Sequence, residues 1–169
     1  MSFYTLRFIH KTVGNKLKKM TVSELKEIIL NKNQNIQFLE KESDNEVYLE
    51  FSTEKNTDYV FFISIESLLT TVDIGAKLNS DINAYFWHQS AEKINTSDKE
   101  WNSWIENFIL ESIKNLSEFE TRIIQKNGLI FSSFTCEYFN EKWTKLNTNN
   151  GFRWTLKIPK IYGRKKIYK

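Results

Sequence analysis

Residues 46–65 read EVYLEFSTEKNTDYVFFISI, and this stretch decides the fold class. Val47, Leu49 and Phe51 alternate with Glu46, Tyr48 and Glu50, the period-two pattern of a strand with one wet face. Lys55-Asn56 turns the chain. Tyr59 to Ile65 is apolar on both faces, as a strand in the middle of a sheet must be. Upstream, Ser43-Asp44-Asn45 is a second turn, preceded by a weaker alternation at Ile36 and Phe38. Before that, Thr21-Val22-Ser23-Glu24 forms a capping box, and Met20 and Leu25 stand where a hydrophobic staple belongs. Leu25, Ile28 and Ile29 make one stripe, which predicts a short helix over about 22–31. Phe3 to His10 reads as a strand ahead of it. A helix followed by a meander indicates α+β architecture, not alternating βαβ units.

Working outward, residues 66–97 carry little period. Ser67-Leu68-Leu69 suits a helical turn, and Ala84 to His88 fits a strand or a helix. Ser97-Asp98-Lys99-Glu100 is a second capping box. Trp101, Trp104, Ile105, Phe108, Ile109, Ile113 and Leu116 follow at helical spacing and predict the longest helix, with the tryptophan-bearing face in the core. Ser117 to Glu120 continues or restarts that helix, and Asn127-Gly128 closes it. Leu129 to Phe139 reads as a strand, residues 147–151 as a turn, and Phe152 to Ile158 as a last strand stopped by Pro159. The expectation is a single α+β domain over residues 1–169. Its mainly antiparallel sheet, of about five to seven strands, is packed by one short and one long helix. A basic C-terminal tail runs from about 159 to 169.

Composition narrows the chemistry. In 169 residues, 40% are hydrophobic and 15% aromatic, ample for a packed core. One Cys excludes an internal disulfide and a multi-cysteine zinc site, and it suits a reducing cytoplasm. Five scattered glycines provide neither a P-loop nor a dinucleotide fingerprint, and no Ser sits in a nucleophile elbow. No run reaches the ~18 apolar residues of a membrane span, and the N-terminus lacks the apolar core of a secretory signal. No cofactor, metal or membrane is expected. Abundant Lys, Ile and Asn read as the AT-rich coding bias of a bacterial or viral source.

The net charge of +3 is unevenly spread. Residues 1–20 carry five bases and no acid, residues 157–169 carry six bases and no acid, and the segment between them sums to −8. Lys16, Lys18, Lys19, Lys160, Arg164, Lys165, Lys166 and Lys169 are therefore the candidate polyanion-binding residues, with Tyr162 and Tyr168 interleaved for stacking. Twenty of the twenty-four bases are Lys, so bidentate Arg recognition is scarce.

Other candidates are few. Cys136 reads as a buried small hydrophobe. His10 and His88 are the sole imidazoles and the weak catalytic candidates of a metal-independent nuclease. The pairs Glu40/Glu42, Glu118/Glu120 and Glu137/Glu141 read as solvated surface. Trp87, which lacks periodic company, is the first candidate anchor for a protein partner, and Trp143, in a polar loop, is the second. The chain thus reads as a non-enzymatic protein-binding module of inhibitor, immunity, adaptor or assembly-subunit type, by analogy of class. The alternatives are a nucleic-acid-binding protein using its basic ends and, behind it, a small nuclease.

Overall fold

Thr21 starts the first helix as its capping box requires. Its hydroxyl accepts from the Glu24 backbone N–H at 3.2 Å, and the Glu24 carboxylate accepts from the Thr21 N–H at 2.8 Å. A computed structural model describes residues 20–56, 58–79, 81–127, 131–152 and 165–168. The expected strand at Phe3–His10 and most of the one at Phe152–Ile158 lie outside them. The order is α1 (Val22–Lys32), β1 (Phe38–Ser43), β2 (Glu46–Phe51), β3 (Tyr59–Glu66), β4 (Thr71–Leu78), β5 (Asp81–Glu92), α2 (Asp98–Glu118), β6 (Glu120–Asn127), β7 (Phe131–Asn140), β8 (Lys142–Phe152) and β9 (Lys165–Tyr168).

The fold is α+β, and the described residues form two helices and two antiparallel sheets. The first sheet runs β1-β2-β3-β4-β5 and the second β8-β7-β6-β9. Register sorts the first sheet's side chains into rows. Phe38, Phe51, Phe61, Ala76 and Trp87 form one row, and Leu49, Ile63 and Ile74 another. This face takes both helices. Leu25 and Ile29 of α1, and Trp101, Ile105, Ile109, Ile113 and Leu116 of α2, join it in one core with Ile123, Phe134 and Cys136 of the second sheet. At the rim, Lys26 of α1 bridges Glu40 and Glu42 of β1, which holds the helix over the edge strand.

Three segments differ from the sequence expectation. Residues 71–78 form β4, whose inward Val72, Ile74 and Ala76 are buried while Asp73, Gly75 and Lys77 face away. Small residues weaken the hydrophobic signal of that alternation. Residues 120–127, expected to be helical, form β6, because Thr121, Ile123 and Gln125 alternate inward. The neighbouring Ile124 is also buried, which hides the period of two. Residues 142–152, expected as loop, turn and the start of a strand, form β8. Glu141 makes the tight β7–β8 reversal by adopting a left-handed φ of 59°.

Two devices fasten the halves together. Lys55, in the β2–β3 loop, donates to the Glu118 carbonyl at 2.5 Å and so caps the C-terminus of α2. Beneath it, the Tyr59 and Thr121 hydroxyls, 2.9 Å apart, converge on the Asn56 side-chain oxygen at 3.1 and 2.9 Å. Burial raises the Tyr59 hydroxyl's pKa far above normal, so it stays protonated as a donor. Tyr59→Phe is expected to cost about 1–3 kcal/mol in urea unfolding, since it leaves buried acceptors short of a donor. A loss below the measurement error would deny the network a structural role.

Candidate functional site

The tryptophans separate the surfaces available for binding from the core. Trp87 is 1% exposed and sits among the largest buried side chains. This corrects its expected role as a partner anchor. β5 is a strand, and its register with Ala76 turns Trp87 to the helix-covered face, leaving a partner nothing to touch. Its indole Nε1 has no hydrogen-bond partner among the described residues.

Trp104, expected in the core, is 46% exposed. It lies on the flank of the buried stripe of α2, stacked between Trp101 at 5.5 Å and Phe108 at 5.1 Å. Trp101 is buried and donates through Nε1 to the Leu69 carbonyl at 2.6 Å, tying α2 to the β3–β4 turn. Leu69 takes a left-handed φ of 55°, and the adjacent Leu68 is left 69% exposed. The Lys93 N–H bonds to the Thr70 carbonyl at 2.8 Å, which brings the β5–α2 loop to the same turn; the next residue, Ile94, is 66% exposed. Three large apolar side chains thus project from segments bonded to one another. Acids predominate along these segments, with Glu66, Glu92, Asp98 and Glu100 against Lys93 and Lys99. Lys93 is itself paired with Asp98. The sequence singled out neither Leu68 nor Ile94, since an isolated apolar residue in a loop carries no period.

Trp143 is half-buried in β8, not in a loop. Its ring meets Phe139 of β7 edge-on at 5.3 Å, and the Arg122 guanidinium of β6 lies 3.8 Å over it. Glu137 holds that guanidinium by accepting from Nε at 2.8 Å and from an Nη at 2.7 Å. This row occupies the face of the second sheet opposite Ile123, Phe134 and Cys136.

Cys136 is fully buried, and burial raises its thiol pKa so far that it stays a neutral hydrophobe. His88 is exposed on the first sheet's face away from the helices, opposite Gly75. His10 lies outside the described residues, as do Lys16, Lys18, Lys19, Lys160, Arg164, Lys169 and Tyr162. Lys165 and Lys166 belong to β9, opposite Lys126 and Gln125 of β6. Glu118 ends α2 and Glu120 opens β6. A shallow hollow of about 380 Å³ runs along α1, lined by Met20, Glu24, Glu27, Ile28 and Asn31, with no imidazole, thiol, hydroxyl or cationic side chain among them.

One buried charge pair lies on His88's face of the sheet. Lys77 bonds the Glu50 carboxylate, with Lys41 at 3.7 Å and the Tyr48 ring 4.7 Å beneath the Lys77 ammonium. Phe62 stacks on Tyr48 at 5.6 Å. Gly75 is required here by close approach, since a Cβ would come within 2.5 Å of the Phe62 ring and of the Trp87 carbonyl. Among the described residues, no helix is long and apolar enough to cross a membrane, and no group of three His, Cys, Asp or Glu side chains is placed to hold a metal ion. Comparison with protein-family models, curated proteins and solved structures finds no match to this chain.

Proposed function

We propose that this chain is a non-enzymatic protein-binding module, of inhibitor, immunity, adaptor or assembly-subunit type. In this reading it docks through the apolar end built from Leu68, Ile94 and Trp104. The carrying observation is that all three are heavily exposed on segments held rigid by the Trp101–Leu69 and Lys93–Thr70 hydrogen bonds. Large exposed apolar side chains on segments hydrogen-bonded to one another suit an interaction surface, and Trp is among the residues most favoured as an anchor. Surplus carboxylates around them select a partner whose apolar socket is rimmed by Lys or Arg.

The test is affinity capture from the native host, followed by titration of the purified captured protein. Trp104→Ala is expected to weaken the complex by about 2 kcal/mol, roughly thirtyfold in Kd. Leu68→Asp with Ile94→Asp is expected to abolish it, and raising the salt is expected to slow association through the charged rim while sparing most of the apolar affinity. A complex indifferent to both variants would overturn the docking surface. One that dissolves with salt while surviving the substitutions would point to the basic segments instead.

A further inference from the structure

The outward face of the second sheet carries a different chemistry. We infer that it is a stacking platform for single-stranded nucleic acid, a site separate from the apolar end.

Strand alternation sets which side chains this face carries. Arg122 and Lys126 of β6, Glu137 and Phe139 of β7, and Trp143 and Lys145 of β8 share one face with Ile124, which is buried among them. Register sets Arg122 beside Glu137 and Lys145, and Phe139 beside Trp143. It also sets Lys165 of β9 beside Lys126. Phe139 is 42% exposed, and its orientation is fixed by the Trp143 ring. The Arg122 guanidinium is a second planar surface, backed by the Trp143 indole and clamped by Glu137. Bases stack on aromatic faces and on guanidinium planes alike, and only unpaired bases have faces free to do so.

Charge fits the same ligand. Glu137 is spent on Arg122, so among the described residues that register places on this face Lys126 and Lys145 stand against Glu120, with Glu141 at the adjoining β7–β8 turn. Lys126 and Lys145 are exposed. Cations flanking planar groups on a sheet match a strand whose phosphates run alongside its bases. The acidic surroundings of the apolar end would repel that ligand. Non-specific stacking explains why no donor–acceptor set for one base is needed.

The experiment is fluorescence anisotropy with labelled twelve-nucleotide oligo-dT and oligo-U, against a duplex of equal length, from 25 to 300 mM salt. Saturable single-strand binding that quenches tryptophan emission and exceeds duplex binding is expected. Phe139→Ala should weaken it about tenfold. Lys126→Gln with Lys145→Gln should lower the salt slope by about 0.7 for each lysine removed. Circular dichroism and a thermal scan confirm that each variant is folded. Absence of single-strand binding at the lowest salt would overturn the proposal, as would equal duplex affinity. Binding unchanged in both variants would also overturn it, and would assign the affinity to other basic segments.

Discussion

Lys77→Met is expected to destabilise the protein by about 3–5 kcal/mol in urea unfolding, because it strands the Glu50 carboxylate in a place from which water is excluded. Both side chains are buried, and the ammonium bonds that carboxylate directly. Desolvation alone would raise the Glu50 pKa. The hydrogen bond and charge of Lys77, helped by Tyr48 and Lys41, outweigh it and hold the carboxyl below its ordinary value. The sign of the pH dependence follows. A lowered folded-state pKa contributes stability that is fully present above the unfolded carboxylate pKa of about 4.3, and that is lost as pH falls through the lower folded value. Acid unfolding of the wild type should therefore include this loss, and Lys77→Met should flatten it. The double variant Lys77→Met/Glu50→Leu is expected to recover most of the stability, since an apolar pair of similar volume replaces a buried ion pair at little cost. A single variant within 1 kcal/mol of wild type would show that the pair is solvated in solution.

Trp87→Ala is expected to cost about 3–5 kcal/mol, the range for deleting a large aromatic from a packed core. The indole completes the row Phe38, Phe51, Phe61, Ala76, Trp87 on the helix-covered face. A cavity left there would be lined by residues whose strands are pinned by their ladders and cannot collapse to fill it. Trp87→Phe should lose less than half as much. It keeps a ring in the row and removes an Nε1 donor that has no partner among the described residues. Capture of the partner by folded Trp87→Phe should match wild type. If Trp87→Phe unfolds normally but loses the partner, the burial of Trp87 in the free protein is not its state in the complex.

The elements legible in the sequence were those whose signal is local. Thr21 and Glu24, and Ser97 and Glu100, both form the reciprocal hydrogen bonds their spacing predicts. The strands at Glu46–Phe51 and Tyr59–Glu66 form where their patterns place them, but the expected wet face of the first is covered, since Tyr48 and Glu50 are buried. β6 was hidden because consecutive isoleucines, Ile123 and Ile124, are both buried, which removes the polar positions that would expose a period of two. β8 was hidden because Asn-rich sequence suits a turn, and only pairing with β7 supplies the ladder hydrogen bonds that make it a strand.

The candidate surfaces were the least legible, and the tryptophans show why. Trp104 has the periodic company that suggests a core position and Trp87 lacks it, yet Trp87 closes the core and Trp104 lies open. The deciding variable for Trp87 is the register of β5 on β4, and for Trp104 its angle from the stripe that α2 buries; both are set by contacts distant in the chain. Leu68 and Ile94 lie on segments joined only by the tertiary structure, through the Trp101 indole of α2 and the Lys93 amide of the β5–α2 loop, both bonded to the β3–β4 turn. Alone, the sequence determined the helix starts, the α+β class, the central meander and the segregation of charge, since these depend on neighbours within a few residues. The tertiary structure decided the division into two sheets, the burial of the Lys77–Glu50 pair and which aromatic rings meet solvent. Exposure is a property of what packs against a residue, and here those packing partners come from dozens of positions away.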